Sequence, residues 1–136
     1  MTQTPITTAA HNKQLMQAVF TELARGNRAP MRELYADDIT FTVTGTTRWS
    51  RTYRGKQAVS EELFAPLFAL FADRYTASAT RFIAEDDLVV VEFRGNVTTR
   101  TGKPYRNTYC TIYRLADGKI REITEYGDTA LIDAVL

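Results

Sequence analysis

The chain is poor in the residues that build disulfides and soft metal centres, and neither sign of charge is in surplus. It has one cysteine, Cys110, and one histidine, His11, among 136 residues. This excludes an internal disulfide, a thiolate metal cluster and a histidine-rich metal site. Lysine and arginine total 17 against 16 aspartates and glutamates, a net charge of +1. A nucleic-acid binder usually carries a basic surplus, so we expect no nucleic-acid partner. Because cysteine and histidine are so scarce, we also expect no metal.

Long apolar runs and nucleotide-binding motifs are also missing. No run approaches the roughly 20 residues that a membrane helix needs, and residues 1–13 lack the basic and apolar segments of a signal peptide. No Gly-rich phosphate loop or nucleophile elbow is present. The sequence therefore predicts a cytoplasmic protein with no membrane partner and no cofactor.

Apolar residues make up 44% of the chain, enough for one sizeable core. A chain of this length fits one domain and leaves no room for a separate cofactor domain. No repeat, linker or low-complexity segment divides it. We expect a single domain over residues 1–136, in which the polar, Thr-rich residues 1–8 are flexible.

Apolar residues at helical spacing predict three helices in the first half of the chain. The first spans 9–25, and a short second helix begins at Pro30 and ends at Tyr35, because proline suits a first helical turn. The third spans 56–72 and should be kinked or split by Pro66, which removes one amide donor.

Alternating apolar and β-branched residues predict five strands, and most of them follow the helices. They are 39–44, 75–84, 87–100, 104–116 and 119–127. Turn signals between consecutive strands, above all Asp117-Gly118, indicate an antiparallel meander. A short tail, 130–136, is expected to pack back as a helical turn. Helices followed by a meander favour an α+β fold in which the helices cover one face of the sheet.

Several segments, in this order, resemble the SnoaL-like proteins of the nuclear-transport-factor-2-like superfamily. They are Ala36-Asp37-Asp38-Ile39, Tyr53-Arg54-Gly55-Lys56, Asn107-x-Tyr109, Asp117-Gly118-Lys119-Ile120 and Glu125-Tyr126-Gly127-Asp128-Thr129-Ala130. The resemblance covers nearly the whole chain. It implies the cystatin-like or NTF2-like fold, a cone-shaped curved antiparallel sheet wrapped around N-terminal helices. Such a cone encloses a deep pocket and commonly dimerises through the outer face of the sheet.

The superfamily includes isomerases, cyclases, dehydratases and epoxide hydrolases, and each type has its own polar pocket residues. In the closest register, the arginine and aspartate positions of limonene-epoxide hydrolase fall on Phe93 and Gly95, and its last-strand acid falls on Glu125. Polyketide cyclases and scytalone dehydratase pair a pocket histidine with an acid, whereas His11 lies on the first predicted helix. What remains is one acid and a set of hydrogen-bonding groups.

Glu125 is the leading catalytic candidate because it shares a side of the last strand with Ile123. A carboxyl group that faces an apolar interior loses hydration, so its pKa should rise towards neutrality, which suits proton transfer. Asn107 and Tyr109 lie two residues apart on the preceding strand and point the same way. Asn107 would orient the Glu125 carboxylate, and Tyr109 would donate to a ligand oxygen. The alternative is a buried structural group whose members only satisfy one another.

Aromatic residues supply candidates for the pocket wall. They are Trp49 in the loop before the third helix, and Tyr35, Phe41, Phe64, Phe68 and Phe93. Trp49 would close the pocket mouth and stack on a flat ligand, or else form a hydrophobic lid or a dimer contact. Aromatic residues at such spacing are otherwise plain core.

Glu92 and Arg94 share one face of their strand. They form either an acid–base pair in the pocket or a salt bridge on the outer face, and the alternation favours the second arrangement. A bulge in the strand would reverse that assignment.

The sequence thus predicts a small-molecule pocket protein. The first hypothesis is cofactor-independent proton transfer, of isomerase, cyclase or dehydratase type, on a small apolar substrate, with the protein a homodimer. The alternatives are a ligand-binding module without chemistry and a protein-association module. A cavity below roughly 300 Å³ would favour protein association, since usual ligand pockets are larger.

Overall fold

Helices come first along the chain and most of the strands follow, in the computed structural model, which describes residues 7–136. The helical segments are α1 (Thr8–Leu23), α2 (Ala29–Leu34), α3 (Lys56–Ala58), a π-helical segment (Val59–Phe64), α4 (Ala65–Phe68) and α5 (Thr129–Val135). The strands are β1 (Tyr35–Val43), β2 (Arg51–Arg54), β3 (Thr76–Glu85), β4 (Leu88–Thr98), β5 (Pro104–Tyr105), β6 (Thr108–Ala116) and β7 (Lys119–Gly127). Residues 1–8 are expected to be flexible, and 1–6 of these lie outside the described residues.

Helix α1 forms where the apolar spacing predicts it. The Thr7 hydroxyl oxygen accepts a hydrogen bond from the Ala10 amide at 3.1 Å, and this caps the first turn. Met16, Val19 and Phe20 are buried on one side of the helix. Among residues 7–136 no helix is both long and apolar enough to cross a membrane.

The third predicted helix is continuous through Pro66 rather than broken by it. A π-helical segment, Val59–Phe64, ends two residues before the proline and widens the turn. A wide turn accommodates both the missing amide donor and the bulk of the proline ring. The helix ends at Phe68 instead of residue 72.

The sheet is strongly curled, with strand order β2-β1-β7-β6-β4-β3, and β5 pairs with β4. The prediction of a purely antiparallel sheet is wrong at one pair, because β1 runs parallel to β7 with Val43 opposite Glu125. Alternation along β1 identifies a strand but says nothing of the direction of its neighbour. The short polar strand β2 was not predicted, and the strand expected over 104–116 is split into β5 and β6.

The inner face of the curled sheet wraps around α1. The ring of Phe20 on α1 lies 5.1 Å from that of Phe93, 5.8 Å from that of Phe82 and 6.3 Å from that of Tyr113, between centroids. These contacts join three strands to one helix. The fold is therefore the α+β cone expected from the sequence, with a mixed rather than an antiparallel sheet, and the interior of the cone is its core.

Candidate functional site

The cone encloses an inner cavity of about 110 Å³. Its wall is mostly aromatic and aliphatic, and it contains one acid. The lining residues are Phe20, Leu23, Arg28, Met31, Tyr35, Phe41, Leu63, Phe64, Leu67, Phe68, Phe71, Tyr75, Ala77, Phe93, Tyr105, Tyr109, Tyr113, Ile123 and Glu125.

Strand alternation directs Glu125 into this cavity. Ile123, two residues earlier on β7, is 2% exposed, and the residue opposite Glu125 on β6, Thr111, is 1% exposed. The Glu125 carbonyl oxygen accepts hydrogen bonds from the Thr44 amide at 3.1 Å and the Thr44 hydroxyl at 2.8 Å. Strand β1 thus fixes the backbone that carries the carboxyl group.

Burial raises the pKa of the Glu125 carboxyl from 4.5 to about 7. By surface area the residue is half-buried, because it borders the hollow, and the protein around that hollow still removes much of its hydration. Loss of hydration disfavours the charged form, and no other cause contributes to this shift. Glu125 therefore changes charge near neutral pH, as a general acid or base must.

Two tyrosine hydroxyl groups form a hydrogen-bonded pair on the same wall. Tyr105 and Tyr109 lie 2.6 Å apart, oxygen to oxygen, and the Asn107 side-chain amide donates to the Tyr105 oxygen at 2.9 Å. The Tyr109 ring stacks on Phe93 at 5.0 Å between centroids. One of the two phenolic hydrogens forms the bond between the oxygens, so the other is free to donate to a group in the cavity.

The hypothesis that Asn107 orients the Glu125 carboxylate has no support in the hydrogen bonds of Asn107, which go to other groups. Its amide nitrogen donates to the Tyr105 hydroxyl and, at 3.3 Å, to the Asp128 carbonyl oxygen, and its amide oxygen accepts from the Asp128 amide at 3.1 Å. It is fully buried and does not line the cavity. Since Asp128 caps helix α5, Asn107 joins that helix start to the tyrosine pair.

Five of the seven tyrosines of the chain line the inner cavity, and burial raises the pKa of each. They are Tyr35, Tyr75, Tyr105, Tyr109 and Tyr113. The Glu125 charge contributes to this rise at every one of them, after burial. The phenols therefore stay neutral and act as hydrogen-bond donors around a single acid.

Gly95 makes room for one of these tyrosines. A Cβ atom at Gly95 would lie 2.9 Å from two ring atoms of Tyr75, Cε2 and Cζ. This is the position that the register with limonene-epoxide hydrolase gives to an aspartate. Here the space of that side chain is filled by the end of the Tyr75 ring, so the polar group at this point is a phenol and not a carboxylate.

An outer cavity of about 460 Å³ adjoins the inner one. The two share Arg28, Tyr35, Phe64 and Phe68, which form the partition between them. The inner cavity is smaller than the roughly 300 Å³ of a usual ligand pocket, whereas the outer one is larger. A ligand that enters the inner cavity and is bigger than a single ring must therefore extend into the outer one.

The predicted site residues separate into two groups. Those on the wall of the inner cavity are Tyr35, Phe41, Phe64, Phe68, Phe93, Tyr109 and Glu125. Trp49 and Asn107 do not line it. The loop that carries Trp49 is tied to the end of the chain by a hydrogen bond from Arg48 to the Leu136 carbonyl oxygen at 2.6 Å. The buried Trp49 indole nitrogen has no hydrogen-bond partner among the described residues.

Glu92 lies on the outer face of the sheet, as the alternation favours. Its carboxylate forms an ion pair with Arg81 at 3.1 Å, and both side chains are substantially exposed. Arg94, on the same face, is exposed as well. Neither residue reaches the inner cavity.

Sequence reasoning missed several wall residues. Tyr105 and Tyr113 follow the same alternation as Tyr109, which was the available signal. Tyr75 had only an indirect signal in Gly95, the small residue on the strand facing it. Arg28 lies in the connection between α1 and α2, where no periodic pattern applies.

Comparisons with solved structures show the fold. The chain is 18% identical to Bal32a from a soil-derived mobile gene cassette, with a TM-score of 0.81 over 95% of this chain and 98% of that one. An NTF2-like protein from Burkholderia thailandensis E264 is 24% identical, with a TM-score of 0.77 and coverage of 90% and 95%. A proposed SnoaL-like polyketide cyclase from Jannaschia sp. CCS1 is 19% identical, with a TM-score of 0.75 and coverage of 99% and 96%.

A comparison with curated proteins found no significant match. The family model described as the SnoaL-like domain matches residues 16–123, well over half of the chain. That segment runs from α1 into β7 and includes most of the cavity wall, though not Glu125. The chain belongs to the SnoaL-like domain family.

Proposed function

We propose that the protein is a cofactor-independent enzyme that moves a proton next to a carbonyl group of a small, mostly apolar molecule, as isomerases, cyclases and dehydratases do. One observation carries this proposal. Glu125, the only acid among the described residues on the wall of the inner cavity, has a pKa raised to about 7 by burial and faces a mostly aromatic and aliphatic hollow. The whole chain, residues 1–136, would act as one domain, and its cytoplasmic location stays a prediction.

In the proposed step, the ionised Glu125 carboxylate removes a proton from the carbon beside the carbonyl group. The electron pair of the broken C–H bond forms an enolate double bond, and negative charge develops on the carbonyl oxygen. Glu125, now protonated, returns the proton to another carbon or to a leaving oxygen. A base with a pKa near the working pH performs both halves of this transfer well.

Tyr109 and Tyr105 supply the charge stabilisation in this scheme. One of their two O–H groups forms the hydrogen bond of 2.6 Å between them, and the other remains available to a ligand. The Asn107 amide fixes the pair by donating to the Tyr105 oxygen. A neutral phenol aimed at the developing oxyanion stabilises the enolate more than the ketone, and so lowers the barrier. We place Asn107 as a positioning residue for the tyrosines rather than for Glu125.

A protein-association module without chemistry is the second candidate, and the small inner volume favours it. About 110 Å³ is below the size at which a ligand pocket is usually found. It still approaches the cavity of about 150 Å³ that holds a benzene molecule in another protein. A six-membered ring is therefore the largest apolar group that we expect inside without movement of the partition.

The test follows proton transfer on a ketone of that size. We expect the protein to convert 3-cyclohexen-1-one to its conjugated isomer, seen by ultraviolet absorbance, and to incorporate deuterium beside the carbonyl group in D₂O. The rate should rise with pH through about 7, because ionised Glu125 is the base. Neither isomerisation nor deuterium uptake above the buffer rate would contradict the catalytic proposal and support the second candidate.

We also propose that the protein is a homodimer through the outer face of the sheet. In-register residues on three strands form an apolar stripe there, Ile83, Val90 and Ile112, and Thr124 on β7 continues the row. Ile83 is 53% exposed. Tyr126, two residues after Thr124 on β7, is 49% exposed. Exposed apolar side chains in one contiguous patch are typical of an association surface.

Substitution of Ile112 by arginine should split this dimer, since a guanidinium at the centre of the apolar stripe would be left without a partner. Light scattering should give twice the 15.4 kDa chain mass for the wild type and the single chain mass for Ile112→Arg. The control is Ala24→Arg. Ala24 is exposed and directly follows α1, which packs on the inner face of the sheet, so this variant should stay dimeric. A monomeric wild-type protein, or a dimeric Ile112→Arg variant, would show that the outer face is not the interface.

A further inference from the structure

Arg28 stands at the boundary between the two cavities and belongs to the wall of both. Its guanidinium carbon lies 4.0 Å from the centroid of the Phe68 ring and 4.7 Å from that of Phe64. A guanidinium group that rests on aromatic faces keeps its N–H groups at the edges, where they point away from the rings. The hydrogen-bonding edge of Arg28 is therefore open to a group in the cavities.

No carboxylate neutralises this arginine among the described residues. The ion pairs of residues 7–136 involve Arg25, Arg51, Arg81, Arg114 and Arg121, all on the exposed surface. Arg28 is half-buried, and burial is the main cause that lowers its pKa; Arg32 lowers it further, while Tyr35 and Tyr75 act in the opposite direction. Glu125, the acid of the inner cavity, is not among these influences. A half-buried cation without a counter-charge favours an anion from outside.

The outer cavity carries more positive than negative side chains. Arg32 and Lys56 line it together with Arg28, against the acid Glu33, and Ser60 and Tyr35 add hydroxyl groups. Lys56 is half-buried, and neither Lys56 nor Arg32 takes part in the ion pairs of the described residues. The cations therefore converge on the larger space, while the inner space is apolar apart from Glu125 and the phenols.

We propose that the outer cavity binds the anionic group of an amphipathic ligand through the open edge of Arg28, while the apolar end of the same ligand lies beside Glu125. The inference rests on the proposed function for the placement of the apolar end, and it names the substrate class as small apolar rings that bear a carboxylate or a similar anion on a short chain. Arg32 and Lys56 add attraction from the rim. The planar guanidinium group suits a carboxylate, because two parallel N–H bonds reach both of its oxygens.

The test compares two probes that differ only in charge. 4-Phenylbutyrate has a ring for the inner cavity and a carboxylate three methylene groups away, and 4-phenylbutyramide is its neutral counterpart. Binding is measured by calorimetry at pH 7.5 for the wild type, Arg28→Gln, Arg28→Lys and Arg48→Gln. Arg48 is the matched control, since its guanidinium group also lies over an aromatic ring, that of Trp49 at 4.7 Å, but away from both cavities.

We expect the wild type and Arg48→Gln to bind the carboxylate about tenfold more tightly than the amide. This preference for the carboxylate should vanish in Arg28→Gln. It should persist, weakened, in Arg28→Lys, which keeps the charge but lacks the two parallel N–H groups of the guanidinium. Equal binding of the two probes by the wild type, failure of both to bind, or an unchanged preference in Arg28→Gln would overturn the proposal.

Glu125→Gln separates this inference from the proposed function. Binding needs no turnover, so that variant should keep the full preference for the carboxylate probe. Loss of the preference in Glu125→Gln would overturn the assignment to Arg28. Catalysis that survives in Glu125→Gln would refute the proposed function and leave the binding result intact.

Discussion

Substitution of Glu125 by glutamine should lower the rate of 3-cyclohexen-1-one isomerisation by about 10²- to 10⁴-fold, the range that a positioned general base supplies. Glutamine has nearly the same shape but cannot accept the proton. Because the shape is kept, we expect the fold and the cavity to survive, and circular dichroism should match that of the wild type. The loss should appear in kcat and not only in KM, because the carboxylate acts in the chemical step.

Glu92→Gln is the matched control for this variant. It changes an acid on another strand of the same sheet in the same way, but its side chain lies on the outer face in an ion pair with Arg81. Turnover should be unchanged in Glu92→Gln. Equal rates for Glu125→Gln and the wild type would remove Glu125 from the mechanism, whatever the control shows.

The second large effect concerns the free energy of unfolding and its dependence on pH. In the folded chain the pKa of Glu125 is raised to about 7, above the 4.5 of the free side chain. Between these values the folded state holds a proton that the unfolded state has released, so stability falls as pH rises. Below about pH 4.5 both states are protonated, and above about pH 7 both are ionised, so the loss is then complete.

A shift of this size corresponds to at most about 3 kcal/mol. Because Glu125 is only half-buried by surface area, screening by solvent in the hollow should reduce the loss to about 1–2 kcal/mol. Glu125→Gln cannot ionise and should not show it. Urea unfolding at pH 4.5, 6, 7 and 8.5 should therefore give a stability difference that moves in favour of the variant as pH rises. Parallel curves would mean that Glu125 titrates alike in the folded and unfolded states.

The inward position of Glu125 could be predicted from the sequence because it depends only on local pattern. Alternation along β7 places it with Ile123, and the turn at Asp117-Gly118 sets the register with β6. The same alternation placed Glu92 on the outer face. Local rules of this kind also predicted helix α1 and the meander of strands.

Other features depend on contacts between distant segments, and local pattern does not determine those. The parallel pairing of β1 with β7 joins residues about 80 positions apart. The spacing of Asn107 from Tyr109 suggests a bond to Glu125, yet the Asn107 amide bonds to the start of α5 and to the Tyr105 hydroxyl group. Arg28 lies in a connection, and only the packing of Phe64 and Phe68 makes it part of the wall.

The central claim is that a single desolvated carboxyl group changes charge near neutral pH inside the cone. The most direct measurement is a carbon-detected NMR titration of the glutamate side-chain carboxyl resonances, in which the signal absent from Glu125→Gln identifies the residue. The account predicts a midpoint near pH 7 for that signal. A midpoint near 4.5, the ordinary value for a hydrated glutamate, would contradict it.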